Sequence, residues 1–330
     1  MASPNLTEIV TTTLYKRNKE LADNVSNGNA LLARLNQKGN VRTAAGGRQI
    51  VEELEYAENS TFMYYSGYET LNINPSDVFS AGVFDWKQAA VNVSASGLET
   101  EIQNSGQEAV INLLEKRISN AMKTMRNNLS TGVYSDGTGT GGKQIGGLQA
   151  VVADAGTGTV GGINSSTFSF WANQTSGNIS FTSGSANPSL SADQATLRQE
   201  MQAMWLETSR GPDTTDFIVA DASMFNTFWS ALEDHQRITS SDEATMGFRS
   251  LKFVTADVFY DGDSGLADDH MYFLNTDYIY YRPHSARNMV PLSPNRRYAT
   301  NQDAEVQIIA WAGNLTTSGR MFQGRWDMNA

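Results

Sequence analysis

Cysteine is missing from all 330 residues and histidine nearly so, with three copies. The first absence removes disulfides, thiol nucleophiles and Cys-ligated zinc. His235, His270 and His284 lie far apart with no H-x-x-x-H spacing, so imidazole-based metal or acid–base chemistry has little to draw on. Charge is scarce as well. Asp, Glu, Lys and Arg make up 18% of the chain, against roughly 25% in ordinary soluble domains. Asn, Ser, Thr and Gly take their place, and a surface that polar yet weakly charged is compatible with one covered by partners. The longest strongly apolar run, Ile308 to Ala312, falls far short of the ~20 residues that span a bilayer. Met1-Ala2-Ser3-Pro4-Asn5 has neither the basic nor the apolar region of a secretory signal. The expectation is a soluble chain made in a cytosol, of about two domains by length.

What is present is unevenly spread. The formal net charge of -11 separates into seven bases and three acids over residues 1–48, against 17 bases and 32 acids in the rest. A basic arm, with Lys16, Arg17, Lys19, Arg34 and Lys38, thus precedes an acidic body. Within the arm, Leu6, Ile9, Val10, Leu14 and Leu21, then Leu31, Leu32 and Leu35, fall at helical spacing on either side of Asn27-Gly28-Asn29. That pattern predicts two short amphipathic helices. The bases read either as a solvated helix face or as contacts to an acidic neighbour or nucleic acid.

Residues 46–95 change character. Gly46-Gly47 opens a stretch rich in aromatic and β-branched residues, including Phe62, Tyr64, Tyr65, Tyr68, Phe79, Phe84 and Trp86, broken by Asn74-Pro75-Ser76-Asp77. This reads as two extended arms with a tip, and Ala89 to Ala95 as the returning strand. So many aromatics in one hairpin-like excursion are hard to bury within a small domain, which favours an interface with another subunit over an ordinary hairpin folded on its own domain. The clearest helix follows. Ser105-Gly106-Gln107-Glu108 is a capping box, and Val110, Leu113, Leu114, Ile118, Ala121, Met122, Met125 and Leu129 keep one face until Asn127, Asn128 and Gly132 weaken the pattern. Its length, about 27 residues or roughly 40 Å, suits a structural spine.

Residues 132–192 are rich in Gly, Ser, Thr and Asn. A second box, Ser191-Ala192-Asp193-Gln194, opens a helix with Leu197, Met201, Met204, Trp205 and Thr208 inward. Phe217 to Ala220 reads as a buried strand, and Asp221 as the cap of a helix bearing Met224, Phe225, Phe228, Trp229 and Leu232. Leu251 to Phe259, Met271 to Tyr281 and Val306 to Leu315 read as strands. Helices interleaved with mostly antiparallel strands give the class α+β.

Chemistry-bearing motifs are weak. Gly137-x-x-x-x-Gly142-Lys143 nearly matches a phosphate loop, but Gln144 stands where Ser or Thr holds magnesium, no buried strand precedes it and Ile145-Gly146-Gly147-Leu148 cannot open the required helix. A surface loop is the better account, and a nucleotide-binding enzyme the lesser alternative. Asp263-Ser264-Gly265 lacks the second carboxylate of an aspartic protease. Asp261, Asp263, Asp268 and Asp269 lack EF-hand spacing and read as a solvated acidic loop. The reading is of a non-enzyme with no cofactor and no metal. Aromatics beyond the arm sit in an acidic field that repels phosphate, so DNA could meet only the arm, without base readout.

The order of parts resembles the tailed-bacteriophage major capsid proteins. The residues that carry the likeness are Asn29-Ala30-Leu31-Leu32 in the arm, Gly46-Gly47 before the aromatic loop, Trp86-Lys87 and Val91-Asn92-Val93-Ser94 on the return, and the long helix after Asn104-Ser105-Gly106. Gly146-Gly147-Leu148, Thr159-Val160-Gly161-Gly162-Ile163, Phe170-Trp171, Phe273-Leu274-Asn275-Thr276 and the strand around Trp311 continue it over nearly the whole chain. The resemblance implies a Hong Kong 97-type fold: arm over 1–45, extended loop over 46–95, peripheral domain with spine helix and sheet over 96–145 and 256–330, and axial domain over 146–255. It implies self-assembly into pentamers and hexamers of an icosahedral head shell around double-stranded DNA. A portal, a separate scaffolding protein and a decoration protein are the further implied partners, with DNA touched non-specifically by an arm facing the lumen, no membrane, and the virion as location. Phe62, Tyr64, Tyr65, Tyr68, Phe79, Phe84, Trp86 and Lys87 are the candidate inter-subunit residues. Lys87 is the only loop lysine in reach of the isopeptide cross-link some relatives form, though a lysine beside Trp86 more often packs along the ring. A cellular cargo compartment of the same fold is the alternative.

Overall fold

The computed structural model describes residues 28–96, 110–175, 181–182, 184–232, 250–261, 265–292, 297–298 and 303–327. In chain order its main elements are α1 (Ala30–Gln37), β1 (Ile50–Glu55), β2 (Phe79–Phe84), β3 (Lys87–Ser96), α2 (Val110–Val133), β4 (Thr159–Val160), β5 (Ile163–Asn164) and β6 (Gln174–Thr175). They continue with α3 (Ser191–Thr208), β7 (Phe217–Ala220), α4 (Ala222–Ala231), β8 (Ser250–Phe253), β9 (Ala256–Tyr260), β10 (His270–Leu274), β11 (Ile279–Pro283), β12 (Val290–Pro291), β13 (Arg297–Tyr298), β14 (Ala304–Thr317) and β15 (Gly324–Asp327). The first expected arm helix and the Ser105–Glu108 capping box lie outside the described residues.

The spine helix α2 buries Ala121, Met125, Leu129 and Val133, one residue per turn, and each large apolar side chain so buried contributes about 1.5–3 kcal/mol. It runs through Asn127, Asn128 and Gly132, where composition suggested fraying. The polar residues there have partners that favour the helix: Asn128 donates to the Thr124 carbonyl at 2.8 Å, and buried Ser130 receives the Asn29 side chain at 2.9 Å. Asn29 in turn caps α1 by accepting from the Leu32 amide at 2.8 Å. The same junction holds Asp261, which accepts from the Ala30 amide at 2.9 Å and from the Tyr134 hydroxyl at 2.5 Å. Burial, then the adjacent Asp261 charge, push the Tyr134 phenol well above its usual range. Beyond the spine, Gly147 passes so close that a Cβ there would lie 2.3 Å from the Val133 carbonyl oxygen, so only glycine fits.

Two sheets organise the rest. The six-stranded sheet runs β6-β15-β10-β7-β9-β8, with β7 parallel to β9 and antiparallel to β10. Alternation along β7 splits its side chains between two cores. Phe217 and Val219 join the spine-side cluster with Phe259, Tyr272 and Leu274; Ile218 and Ala220 join Val258, Met271, Phe273 and Trp326 under α3 and α4. A strand buried on both faces reads as an unbroken apolar run, and Phe217-Ile218-Val219-Ala220 is one. In the other sheet, β14 pairs with β3 from Ala304↔Ser96 to Gly313↔Lys87, while β13, β12 and β11 follow one another along its second edge.

Several expectations change in detail. The segment Leu251 to Phe259 is two strands, turned at Val254, whose φ is 53°. Helix α3 starts at Ser191 with Leu190 as its N-cap and no side-chain cap. The expected capping box does not form, because the Gln194 amide donates to Leu190 O at 3.1 Å and its side chain to Pro188 O at 2.7 Å, while Asp193 turns inward to accept from the Thr182 and Asn187 amides at 3.0 and 3.2 Å. Leu197, Met201, Met204 and Thr208 are buried as expected, but Trp205 is half-exposed, its indole donating to Thr255 at 3.2 Å. The boundary drawn at 255 falls between β8 and β9, adjacent strands of one sheet, and that sheet takes strands from both sides of it.

One cation fastens the Gly-rich region. Arg320 is fully buried and donates to Val151 O at 2.6 Å, Asn173 Oδ1 at 2.8 Å, Trp171 O at 3.2 Å, Ser165 Oγ at 3.4 Å and Thr157 O at 3.5 Å. These acceptors are neutral oxygens, and burial lowers its pKa to about 10, still charged at neutral pH. Replacing Arg320 with Met should destabilise the protein by about 3 kcal/mol or more, since several buried carbonyls lose their donor at once. Urea unfolding measures this, and Arg320→Lys, with three donors and no planar fork, should recover only part of the loss.

Candidate interaction surface

The loop between Gly46 and Lys87 has a fixed base and an open tip. At the base, Gly46 and Gly47 take φ of 138° and 119°, backbone that other residues rarely adopt. The Trp86 indole donates to Gly47 O at 3.0 Å and meets the His284 ring edge-on at 5.4 Å. Burial alternates along β1, so Ile50, Glu52 and Leu54 face inward. Glu52 therefore carries a carboxylate into the sheet, where Arg282 holds it through two 2.6 Å bonds and the Thr316 hydroxyl adds a third at 2.8 Å. Such a bidentate pair fixes geometry as well as charge, and removing one partner of a buried pair costs about 3–5 kcal/mol. The Arg282 and Arg42 guanidiniums each lie 5.0 Å from the Tyr280 ring centre. On the other side the loop is stitched to the β4–β5 turn. Val83 N donates to Gly161 O at 2.8 Å, Phe84 lies against Gly161, and Tyr56 meets Phe170 at 5.7 Å.

Beyond Tyr56 the chain contacts mainly itself. Ser60 and Ser76 hydroxyls meet at 3.1 Å, closing the neck, and the remaining bonds are local turns at Asn59, Ser66–Glu69 and Asn72. Phe62, Tyr64, Tyr65, Tyr68 and Phe79 are exposed by 76%, 89%, 65%, 107% and 74%. At about 150–250 Å² per aromatic side chain, these offer on the order of 1,000 Å².

The other expected contact residues lie elsewhere. Phe84 is buried inside its own chain, with the Gly161 turn against its ring, and so is unavailable to a neighbour. Trp86 and Lys87 are half-buried, and the Lys87 ammonium donates to the chain's own Gly142 carbonyl at 2.5 Å. Lys16, Arg17 and Lys19 lie outside the described residues. Arg34 and Lys38 are not open cations: they pair with Asp216 at 3.3 and 2.9 Å, and Lys38 also with Asp277 at 2.8 Å. Their charge is spent clamping α1 to the body.

The motif alternatives also find their places. The Gly137–Lys143 stretch is a tight turn with positive φ at Gly137, Thr140, Gly141 and Gly142. It follows the spine helix instead of a strand, and the next helical turn, Leu148–Val151, has four residues, so the architecture of a phosphate loop is not there. Asp261 points into the α1–α2 junction, while Asp269 accepts from Ser223 at 2.6 Å; they do not converge. Among the described residues no group of three or more His, Cys, Asp or Glu is placed to hold a metal ion.

No family model and no curated protein sequence matches the chain. Solved structures do. The cyanophage A-1(L) capsid asymmetric unit aligns over 97% of this chain and 99% of its own, with a TM-score of 0.65 and 15% identity. The capsid of Myoviridae phage XM1 aligns over 95% and 96%, at 0.54 and 13%. The holo-SrpI encapsulin complex from Synechococcus elongatus PCC 7942 aligns over 98% and 95%, at 0.53 and 8%. At these identities the likeness is one of fold: the chain has the α+β, Hong Kong 97-type capsid fold.

The Asp216 clamp makes a pH prediction. Burial alone would raise this carboxyl, but the Lys38 ammonium and the Thr276 amide and hydroxyl outweigh it and hold it below its usual value. A lowered folded-state pKa contributes stability at pH above the unfolded value, near 3.9 by rough reference, and loses it as pH falls through the folded value. The stability difference between wild type and Asp216→Asn, from urea unfolding, should therefore hold constant from neutral pH to about 5 and shrink below about 4. A difference unchanged at pH 3 would show that the clamp is not ionic.

Proposed function

We propose that this chain, which carries the Hong Kong 97-type capsid fold, is the major capsid protein of a tailed bacteriophage, assembling with itself into an icosahedral head shell around double-stranded DNA. The observation that carries the reading is the aromatic tip: an exposed apolar surface on a rigidly rooted projection, with no place to bury itself in its own subunit. Structural likeness along nearly the full length of several capsid subunits supports it. Hundreds of copies repeating one modest contact reach high overall stability through symmetry and multivalency. The role is structural, and the acidic body suits a wall that must not adhere to the DNA inside. Contact with DNA would rest on Lys16, Arg17 and Lys19, since Arg34 and Lys38 are engaged with Asp216. Portal, scaffolding and decoration proteins would complete the virion in which it resides.

A cargo compartment is the second reading, supported by the encapsulin likeness at a TM-score of 0.53 against 0.65 for the cyanophage capsid. The contents of particles purified from the native source, DNA or protein, separate the two.

The test of assembly removes the tip alone. Because Ser60 and Ser76 touch, residues 61–75 can be replaced by a two-residue turn without disturbing β1, β2 or buried Phe84. The wild-type chain, expressed alone or with scaffold, should form capsomers or shells by negative-stain microscopy; the tip-deleted chain should keep its circular dichroism and form none. Normal shells from the deleted chain would remove the tip from the assembly surface.

A further inference from the structure

A cavity of about 460 Å³ opens between β3, the spine helix α2 and the Gly137–Lys143 turn. Its floor is apolar and mostly buried: Met125, Leu129, Ile145 and Trp311, with Val91 at the side. The space exists because β3 presents only Ala89 directly opposite Trp311, on the same face of the sheet as Lys87 and Val91, where a larger residue would fill it. Two ammonium groups, Lys87 and Lys143, stand at the rim, and no Asp or Glu lines it. Lys87 gives one of its three donors to Gly142 O, and Lys143 is exposed. A site with this floor and rim takes a ligand that is aromatic or aliphatic and negatively charged.

A segment with that chemistry is present in the chain itself. Residues 49–86 contain seven acids, namely Glu52, Glu53, Glu55, Glu58, Glu69, Asp77 and Asp85, and no Lys, Arg or His. Glu69 lies on the tip among its exposed rings, and Glu58 and Asp77 flank the Ser60–Ser76 neck. The tip cannot fill the cavity of its own subunit. β1 and β2 stay paired from Ile50↔Phe84 out to Glu55↔Phe79, which at about 3.3 Å per residue carries the tip some 17 Å beyond the base where Lys87 lies.

We infer that the Lys87–Lys143 cavity is the receptor for the aromatic, acidic tip of a second copy of this chain. The inference rests on the self-assembly reading above and adds where on the neighbour the tip seats and what recognises it. Rings enter over Met125, Leu129 and Trp311, and Glu58 or Glu69 reaches the rim ammonium groups. Donor and acceptor are different surfaces, so the contact is heterologous and propagates head to tail until a ring closes.

Two half-competent chains test this directly. An acceptor-only chain lacks tip residues 61–75; a donor-only chain carries Ala89→Trp to fill the cavity and Lys143→Glu to reverse its rim. Neither should self-associate, and mixed they should form a one-to-one dimer by analytical ultracentrifugation. Since the chain has no cysteine, Tyr65→Cys on the donor and Ala89→Cys on an otherwise unaltered acceptor should then give a single inter-chain disulfide on oxidation, which requires Cα atoms within about 7 Å. In place of the full donor, Lys143→Glu alone in a chain with an intact tip should lose self-association and regain it with Glu58→Lys and Glu69→Lys. If wild type assembles but the half-competent chains do not pair, or the charge exchange fails to rescue, the receptor assignment is wrong and the shell reading stands. If the pair forms but wild type makes no shell, the receptor assignment stands and the shell reading falls.

Discussion

The ladder between β3 and β14 fixes the return leg of the loop, and through it the geometry of everything nearby. Ten successive pairs, Ala304↔Ser96 to Gly313↔Lys87, leave the return strand no freedom of register, because a slip of one residue would turn Val91 and Val93 to the opposite face. The second edge of β14 is taken in turn by β13, β12 and β11. Arg282 on β11 and Thr316 on β14 then meet Glu52 on β1. A loop residue near the start of the chain is thereby tied to residues more than 200 positions later. The projection leaves the body at an angle set by hydrogen-bonded backbone, not by side-chain packing alone.

Behind that sheet, the six-stranded sheet separates two cores that share β7, β9 and β10. Neither core is finished by local sequence: the spine side needs α1 and β14, and the other side needs α3, α4 and Trp326 from the last strand. The body is thus closed by its ends. The Asp261 junction, joining Ala30 and Tyr134, and the Asp216 clamp on Arg34 and Lys38 do at the front what Arg320 does at the back. Each uses one charged side chain to collect segments far apart in sequence.

Much of this was legible from residue order. The helical period from Ile118 to Leu129 gave the spine and its buried face, the four-residue apolar run gave β7, and the aromatic stretch without helical period gave the loop. Phe84 was misjudged because nothing local marks it off from Phe79; what lies against it is the Gly161 turn, brought from about eighty residues away. Arg34 and Lys38 read as open charge because their partner, Asp216, is some 180 positions distant. Glu52 could have been found: it stands between Ile50 and Leu54 on the inward phase of an alternating strand, and a carboxylate there needs a cation. The Ser191 box failed since the helix begins one residue earlier than the pattern suggested, with Leu190 and Pro188 carbonyls taking the Gln194 amide and side chain.

The neck at Ser60 and Ser76 has a kinetic consequence. Past it the tip is shaped by a few local turns at Asn59, Ser66 and Asn72, so the proposed seating on a neighbour would have to fix loosely held side chains, an entropic cost of about 0.5–1.5 kcal/mol for each one immobilised. A contact of this kind is weak when made once. A misplaced subunit held by a single tip can leave before its neighbours arrive, whereas a correctly placed one is held by several together. In the proposed assembly, loose ordering at the contact would thus work as proofreading during growth, and the rigid root would hold the tip to one orientation at each attempt.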